Sequence, residues 1–266
     1  MPKVLHNDVL AATYRTISKQ IEARNFPTLP LPTGGTIFRA IRQIYLPKPA
    51  AGCLVSKAKA EAVLIPRDGT EGYNRFSGPS YNDRIPAASG LYCVLQQQAL
   101  VNETMYYAQK GGLEKPPAPG MTIADAALQN KCVVKLMLTM RLQVGELSPH
   151  NVGLPSFIEE VEKAGGYLDL LRKTYGAKAE FWECLTDSDD CSVARGVGLA
   201  VAHSRYMDGL SVQTVRSSER SAEERGDNLV LFGSSVNPVK GVKVVEAYYF
   251  QTRGKVEAFQ INRQDH

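Results

Sequence analysis

Apolar residues fall in two rhythms along this chain, one helical and one extended. From Asp8 to Arg24, Leu10, Tyr14, Ile17 and Ile21 share one stripe. That is the period of an amphipathic helix, with Asn7 or Asp8 as its N-cap. Phe26 to Pro32 is proline-rich and reads as extended. After the Gly34-Gly35 turn, Thr36 to Ile41 reads as a strand. Gly90 to Val94 is a short apolar run of the buried-strand kind, and Gln96 to Lys110 then reads as a helix. Every second residue from Cys132 to Val144 is apolar, so one long strand is expected there.

The second half of the chain adds helices and then returns to strands. Ser156-Phe157-Ile158-Glu159 has the form of a capping box, opening a helix that stops at Gly165-Gly166. Thr122 to Asp125 has the same form before a short helix. Tyr167 to Tyr175 reads as a helix, and Ser192 to Ser204, small and apolar, as a short buried one. Gly209 to Val215 and Asn228 to Phe232 read as strands flanking a charged loop, Ser217 to Asp227. Val242 to Phe250 and Val256 to Ile261 suggest a C-terminal hairpin. The mixture predicts a single α+β domain over residues 1–266.

Composition narrows the class without choosing a function. The chain has 266 residues, 44% of them apolar, and a formal net charge of +4. Neither nucleic acid nor membrane binding is called for by so mild an excess. No apolar stretch reaches the length of a membrane span, and Met1 to His6 lacks a signal-peptide pattern. The five cysteines are scattered and read as reduced, buried thiols in a cytosolic protein. The four histidines are too dispersed for a metal motif, so no metal site is expected.

One residue asks for an explanation. On the expected helix from Gln96, Glu103 shares a face with Ala99 and with Tyr106 and Tyr107. Burying a carboxylate costs several kcal/mol unless it is paired or used. Arg39, beside Phe38 in an otherwise apolar strand, raises a similar question. Each has a plain alternative. Glu103 could pair with a lysine or arginine on the surface, and Arg39 could face solvent on an edge strand. Tyr92 could be a core aromatic, and Thr214 could be there for its β-propensity.

Read in order, several islands resemble the RES-domain family of bacterial toxins, named for an arginine, a glutamate and a serine. The islands are Phe38-Arg39, Tyr73-Asn74-Arg75-Phe76-Ser77 and Gly90-Leu91-Tyr92 with the helix bearing Glu103. Asp208-Gly209-Leu210-Ser211-Val212-Gln213-Thr214-Val215-Arg216 and Gly226-Asp227-Asn228 with its apolar run complete the set. The match spans roughly Thr36 to Phe232, so the resemblance implies a domain core over about 36–232, with an N-terminal helix, an insertion around 145–191 and a C-terminal hairpin. Arg39 takes the place of the family's arginine and Glu103 that of its glutamate. Thr214 stands where the family has serine, with Ser217 and Ser218 close by as alternatives. Arg75 matches a second arginine, for which Arg84 competes, and Tyr92 matches a tyrosine before the helix.

The resemblance implies an ADP-ribosyltransferase-like mixed sheet that acts on NAD as substrate, without a metal. Glu103, Arg39 and Thr214 would be catalytic. Arg39, Arg75, Tyr92, Thr214 and Asn228 would bind NAD. The implied activity is cleavage of the nicotinamide-ribose bond by a glycohydrolase or phosphorylase-like toxin. The alternative is a mono-ADP-ribosyltransferase with a protein acceptor. A reading of another class is a non-catalytic module that binds NAD or a partner. An antitoxin or immunity protein is the implied partner, and a homo-oligomer is compatible with the extensions. The implied location is the cytoplasm, reached by synthesis or by delivery as an effector. If the reading holds, Arg39, Glu103 and Thr214 should line one cleft.

Overall fold

A computed structural model describes residues 6–66, 75–81, 85–96, 100, 131–187, 190–213, 227–250 and 256–262. The strands are β1 (Thr28–Leu31), β2 (Thr36–Arg42), β3 (Ser89–Val94), β4 (Lys131–Leu138), β5 (Leu142–Leu147), β6 (Gly209–Gln213), β7 (Asp227–Gly233), β8 (Val242–Phe250) and β9 (Val256–Gln260). The helices are α1 (Asn7–Glu22), α2 (Lys57–Ala62), α3 (Leu154–Lys163), α4 (Tyr167–Tyr175), α5 (Phe181–Thr186) and α6 (Ser192–Ala202). The fold is therefore α+β, built on one mixed nine-stranded sheet of order β1-β5-β6-β7-β3-β2-β4-β8-β9.

The alternation from Cys132 to Val144 belongs to two strands rather than one. β4 ends at Leu138, and Thr139 to Arg141 break the ladder before β5. The partner run is broken at the matching place, between β1 and β2. The register is continuous across both breaks: Arg39 lies opposite Val134, Thr36 opposite Met137, and Leu31 opposite Leu142. Gly34 N–H donates to the Leu138 carbonyl at 2.9 Å and Leu138 N–H to that of Gly35 at 2.9 Å, so the ladder carries through the bend.

This bent ladder lets the sheet return on itself. From β5 the pairing passes through β6 and β7 to β3, and from β3 back to β2. Among the described residues the return seam is one residue pair, Phe38 with Val94. The sheet accordingly has an inner and an outer face. One apolar cluster gathers residues from around the ring: Ile37, Leu91, Val134, Leu136, Val144 and Leu231. Alternation puts all of these on the inner face.

The helices cover the outer face. α1, α3, α4, α5 and α6 share one cluster with Leu147, Leu210, Val212 and Val230 of the sheet. Residues 145–191 supply Leu147, Phe157, Val161, Leu171, Phe181 and Leu185 to that cluster. Phe157 meets Phe26 edge-on with ring centroids 4.8 Å apart. The Tyr167 hydroxyl shares a 2.8 Å hydrogen bond with Thr13, which ties α4 to α1.

Two helix starts differ from their sequence signals. α1 begins at Asn7 with His6 in the N-cap position, and the His6 backbone N–H donates to Ser192 Oγ at 2.7 Å. α3 begins two residues ahead of Ser156, with Pro155 in its first turn, so the capping-box pattern lies inside the helix. The cysteines are also not uniformly buried. Cys93, Cys132, Cys184 and Cys191 are buried free thiols, whereas Cys53 is exposed. No helix among the described residues is long and apolar enough to cross a membrane.

Candidate functional site

Arg39 lies on β2, between β3 and β4, and is only 8% exposed. The edge-strand alternative is thereby excluded. Its position continues the every-second-residue series of Ile37 and Ile41, so it points inward among apolar side chains. Its strand neighbour on that face is Cys93. Burial pushes the Cys93 thiol up to about 12, against a smaller downward pull from the Arg39 charge. A guanidinium so placed must be answered by charge or hydrogen bonds, because an isolated ion in low dielectric is prohibitive.

The register extends this row across the inner face. Cys93 lies opposite Leu229, Leu229 opposite Ser211, and Ser211 opposite Glu146. Asp227, opposite Gln213, faces the same way one step further along. Burial raises the Asp227 carboxyl above the ordinary carboxylate range; the nearby Glu146 charge raises it further, while His150 opposes. Glu146 in turn accepts a hydrogen bond from the Asn151 amide. The inner face thus carries an arginine at one end of the row and a carboxylate pair at the other.

A stability prediction follows from Asp227. A carboxyl raised in the folded state binds its proton more tightly there, so stability falls as pH rises from the unfolded value through the folded one. Asp227→Asn removes that penalty. Thermal melts are expected to show the variant more stable than wild type at pH 7, with the advantage gone near pH 3, below the ordinary value of about 3.9. A variant equally or less stable at pH 7 would contradict the burial described for this carboxyl.

Tyr92 and Asn228 sit on the other face. Both alternate with the inner positions, and Tyr92 packs against the helical cluster. The Tyr92 hydroxyl accepts from the Phe76 backbone N–H at 3.0 Å and lies 3.4 Å from Ser77 Oγ. Desolvation pushes it up to about 12. This is the core-aromatic arrangement, with the polar tip satisfied internally. Arg75 donates to the Leu185 carbonyl, also among the helices. Tyr92, Asn228 and Arg39 therefore do not share a face of the sheet. Tyr92→Phe would leave the Phe76 N–H without its acceptor, and an unfolding titration is expected to record a loss of about 1–3 kcal/mol.

Arg195 belongs with Tyr92. It is buried on α6, 8% exposed, close enough for its charge to act on the Tyr92 hydroxyl. A Cβ on Gly78 would lie 2.8 Å from its Cδ and Nε. Nothing in the small apolar pattern of Ser192 to Ser204 singled out this arginine except its charge. Ser211 and Glu146 had a signal that went unused. In Gly209 to Gln213 the polar residues alternate with Leu210 and Val212, and Glu146 continues the Leu142, Val144 series by one step.

Glu103 and Thr214, with Ser217, Ser218 and Arg84, lie outside the described residues. Their described flanks converge. Val94 of β3 lies opposite Asn228 of β7, which lies opposite Val212 of β6. β3 and β6 therefore both run out at one end of the sheet, where β7 begins, and Leu95 N–H still donates to the Asp227 carbonyl at 3.2 Å. Among the described residues no group of three or more His, Cys, Asp or Glu side chains could hold a metal ion. Comparison with protein-family models, curated proteins and solved structures gives no match.

Proposed function

We propose that this chain consumes NAD by breaking the nicotinamide-ribose bond. The observation that carries the reading is Arg39, a buried guanidinium on the inner face of a returning sheet. Its fork suits the paired oxygens of a pyrophosphate. The end of the sheet at which β3 and β6 finish supports it too, since Glu103 and Thr214 follow those strands in sequence.

In this reaction the C1–N bond of the ribose breaks and its electron pair leaves with neutral nicotinamide. The sugar passes through an oxocarbenium-like species. Glu103 would stabilise that positive charge and take the proton of an attacking water. Arg39 would hold the phosphates so that the departing group and the nucleophile stay in line. Phosphate or a protein side chain can replace water as acceptor without changing these roles. An antitoxin that fills the NAD-binding face is the partner this reading implies.

The test is nicotinamide release from NAD by the purified chain, beside Glu103→Ala and Arg39→Ala. Release by wild type that both variants lose supports the reading. Equal, slow release by all three ends it. Consumption that requires an added protein target assigns the transferase form.

A further inference from the structure

We infer that Glu146, Asp227 and Ser211 form a subsite for the vicinal hydroxyls of a sugar. The first observation is the placement of the two carboxyl groups. Glu146 on β5 and Asp227 on β7 flank β6 on the inner face, close enough for the one to act on the other. The second observation is independent of charge. Ser211, the β6 residue directly opposite Glu146, is completely buried, and among the described residues its hydroxyl has no hydrogen-bond partner. A buried hydroxyl left without a hydrogen bond destabilises the fold, and alanine at this position would avoid that cost. In the ladder Ser211 stands opposite Glu146 and two residues before Gln213, the partner of Asp227, so all three side chains belong to one face of the sheet.

The chemistry of the set selects the ligand class. A carboxyl whose burial favours its proton can donate as well as accept. The Ser211 hydroxyl does both, and Glu146 accepts. An alcohol, which donates and accepts through one oxygen, fits such a mixed set. An ammonium group, which only donates, does not use it. A hard cation requires deprotonated carboxylates, whereas burial here favours the Asp227 proton. Neighbouring alcohols on a furanose would place one oxygen against each carboxyl group, and Gln213 stands opposite Asp227 to complete the rim. Naming that furanose as the ribose of NAD rests on the function proposed above; the hydroxyl subsite itself does not.

The experiment is calorimetric titration of the full chain with ribose 5-phosphate and with 2-deoxyribose 5-phosphate. Wild type is expected to prefer the ribose compound by roughly tenfold, the scale of one hydrogen bond to a charged group. Glu146→Gln should reduce that preference to about twofold or less. Ser211→Ala tests the floor without endangering the fold. It is expected to melt at the same temperature as wild type or higher, and to lose part of the preference. Equal affinity of wild type for the two sugars, or binding of neither, overturns the subsite. So does a preference that survives both substitutions. Neither compound contains nicotinamide, so these results stand apart from NAD turnover. A sugar preference without turnover would remove the enzyme reading and leave the subsite.

Discussion

Gly198→Ala is expected to destabilise the protein by about 3 kcal/mol or more, at the upper end of overpacking costs. Position 198 lies within α6, where alanine would ordinarily gain up to about 1 kcal/mol over glycine. Here a Cβ would fall 1.9 Å from the carbonyl oxygen of Phe76 and 2.6 Å from its carbon. Backbone atoms cannot swing aside as a side chain can, so α6 and residues 75–78 must part. Gly196, two residues earlier and so on nearly the opposite side of the helix, meets α1 in the same manner: its Cβ would lie 2.8 Å from the Leu10 carbonyl oxygen. The small residues of α6 thus let one helix touch backbone on two sides. Urea unfolding of the single variant decides the matter. A midpoint equal to wild type, or higher, would show that this close approach is not a feature of the folded chain.

If the chain cleaves NAD as proposed, substitution of Arg39 is expected to lower turnover strongly. Arg39→Ala should lower kcat/KM for nicotinamide release about a hundredfold, as loss of an electrostatic contact to the reacting substrate does. Arg39→Lys should lower it about tenfold, because a point charge on a flexible stem keeps the sign and loses the fork. Both variants empty or reshape a buried site, so rates are to be compared at equal folded fraction, judged by near-ultraviolet circular dichroism. A lysine variant as fast as wild type would remove the two-pronged contact from the mechanism. An alanine variant as fast as wild type would remove Arg39 altogether.

Much of the secondary structure was legible because its signals are local. The stripe of Leu10, Ile17 and Ile21 is the buried face of α1. Tyr167 to Tyr175 is α4 to the residue. The expected C-terminal hairpin pairs as β8 with β9. What the pattern could not reveal was non-local. Alternation from Cys132 to Val144 is unbroken in hydropathy, yet Thr139 to Arg141 turn the chain from one part of the ring to another. Periodicity reports which side a residue faces, and carries no information about where a ladder bends. The helix Lys57–Ala62 and the helix Phe181–Thr186 were missed for the opposite reason: each is too short to establish a period.

The candidate site divides in the same way. That Arg39 needed an answer could be read from its apolar strand, and its burial agrees with that need. That Tyr92 faces away from Arg39 required the register of β3 with β2. An odd or even count along a strand fixes a face only relative to a neighbour, and Phe38 with Val94 supplies the one reference point between these two strands. Ser211 escaped attention because a lone serine between Leu210 and Val212 looks like ordinary alternation. Its significance comes only from being buried beside Glu146.

That same pair sets how the molecule can yield. β3 holds β7 along six residues and β2 holds β4 along seven, but β2 and β3 hold each other at one. Opening the ring there gives up the bonds of one pair, each worth about 1 kcal/mol net, while every other ladder stays intact. Side-chain packing nevertheless crosses the seam, since Ile37 and Ile41 of β2 share a buried cluster with Leu91 and Cys93 of β3. The ring is thus closed there by apolar burial more than by backbone hydrogen bonds.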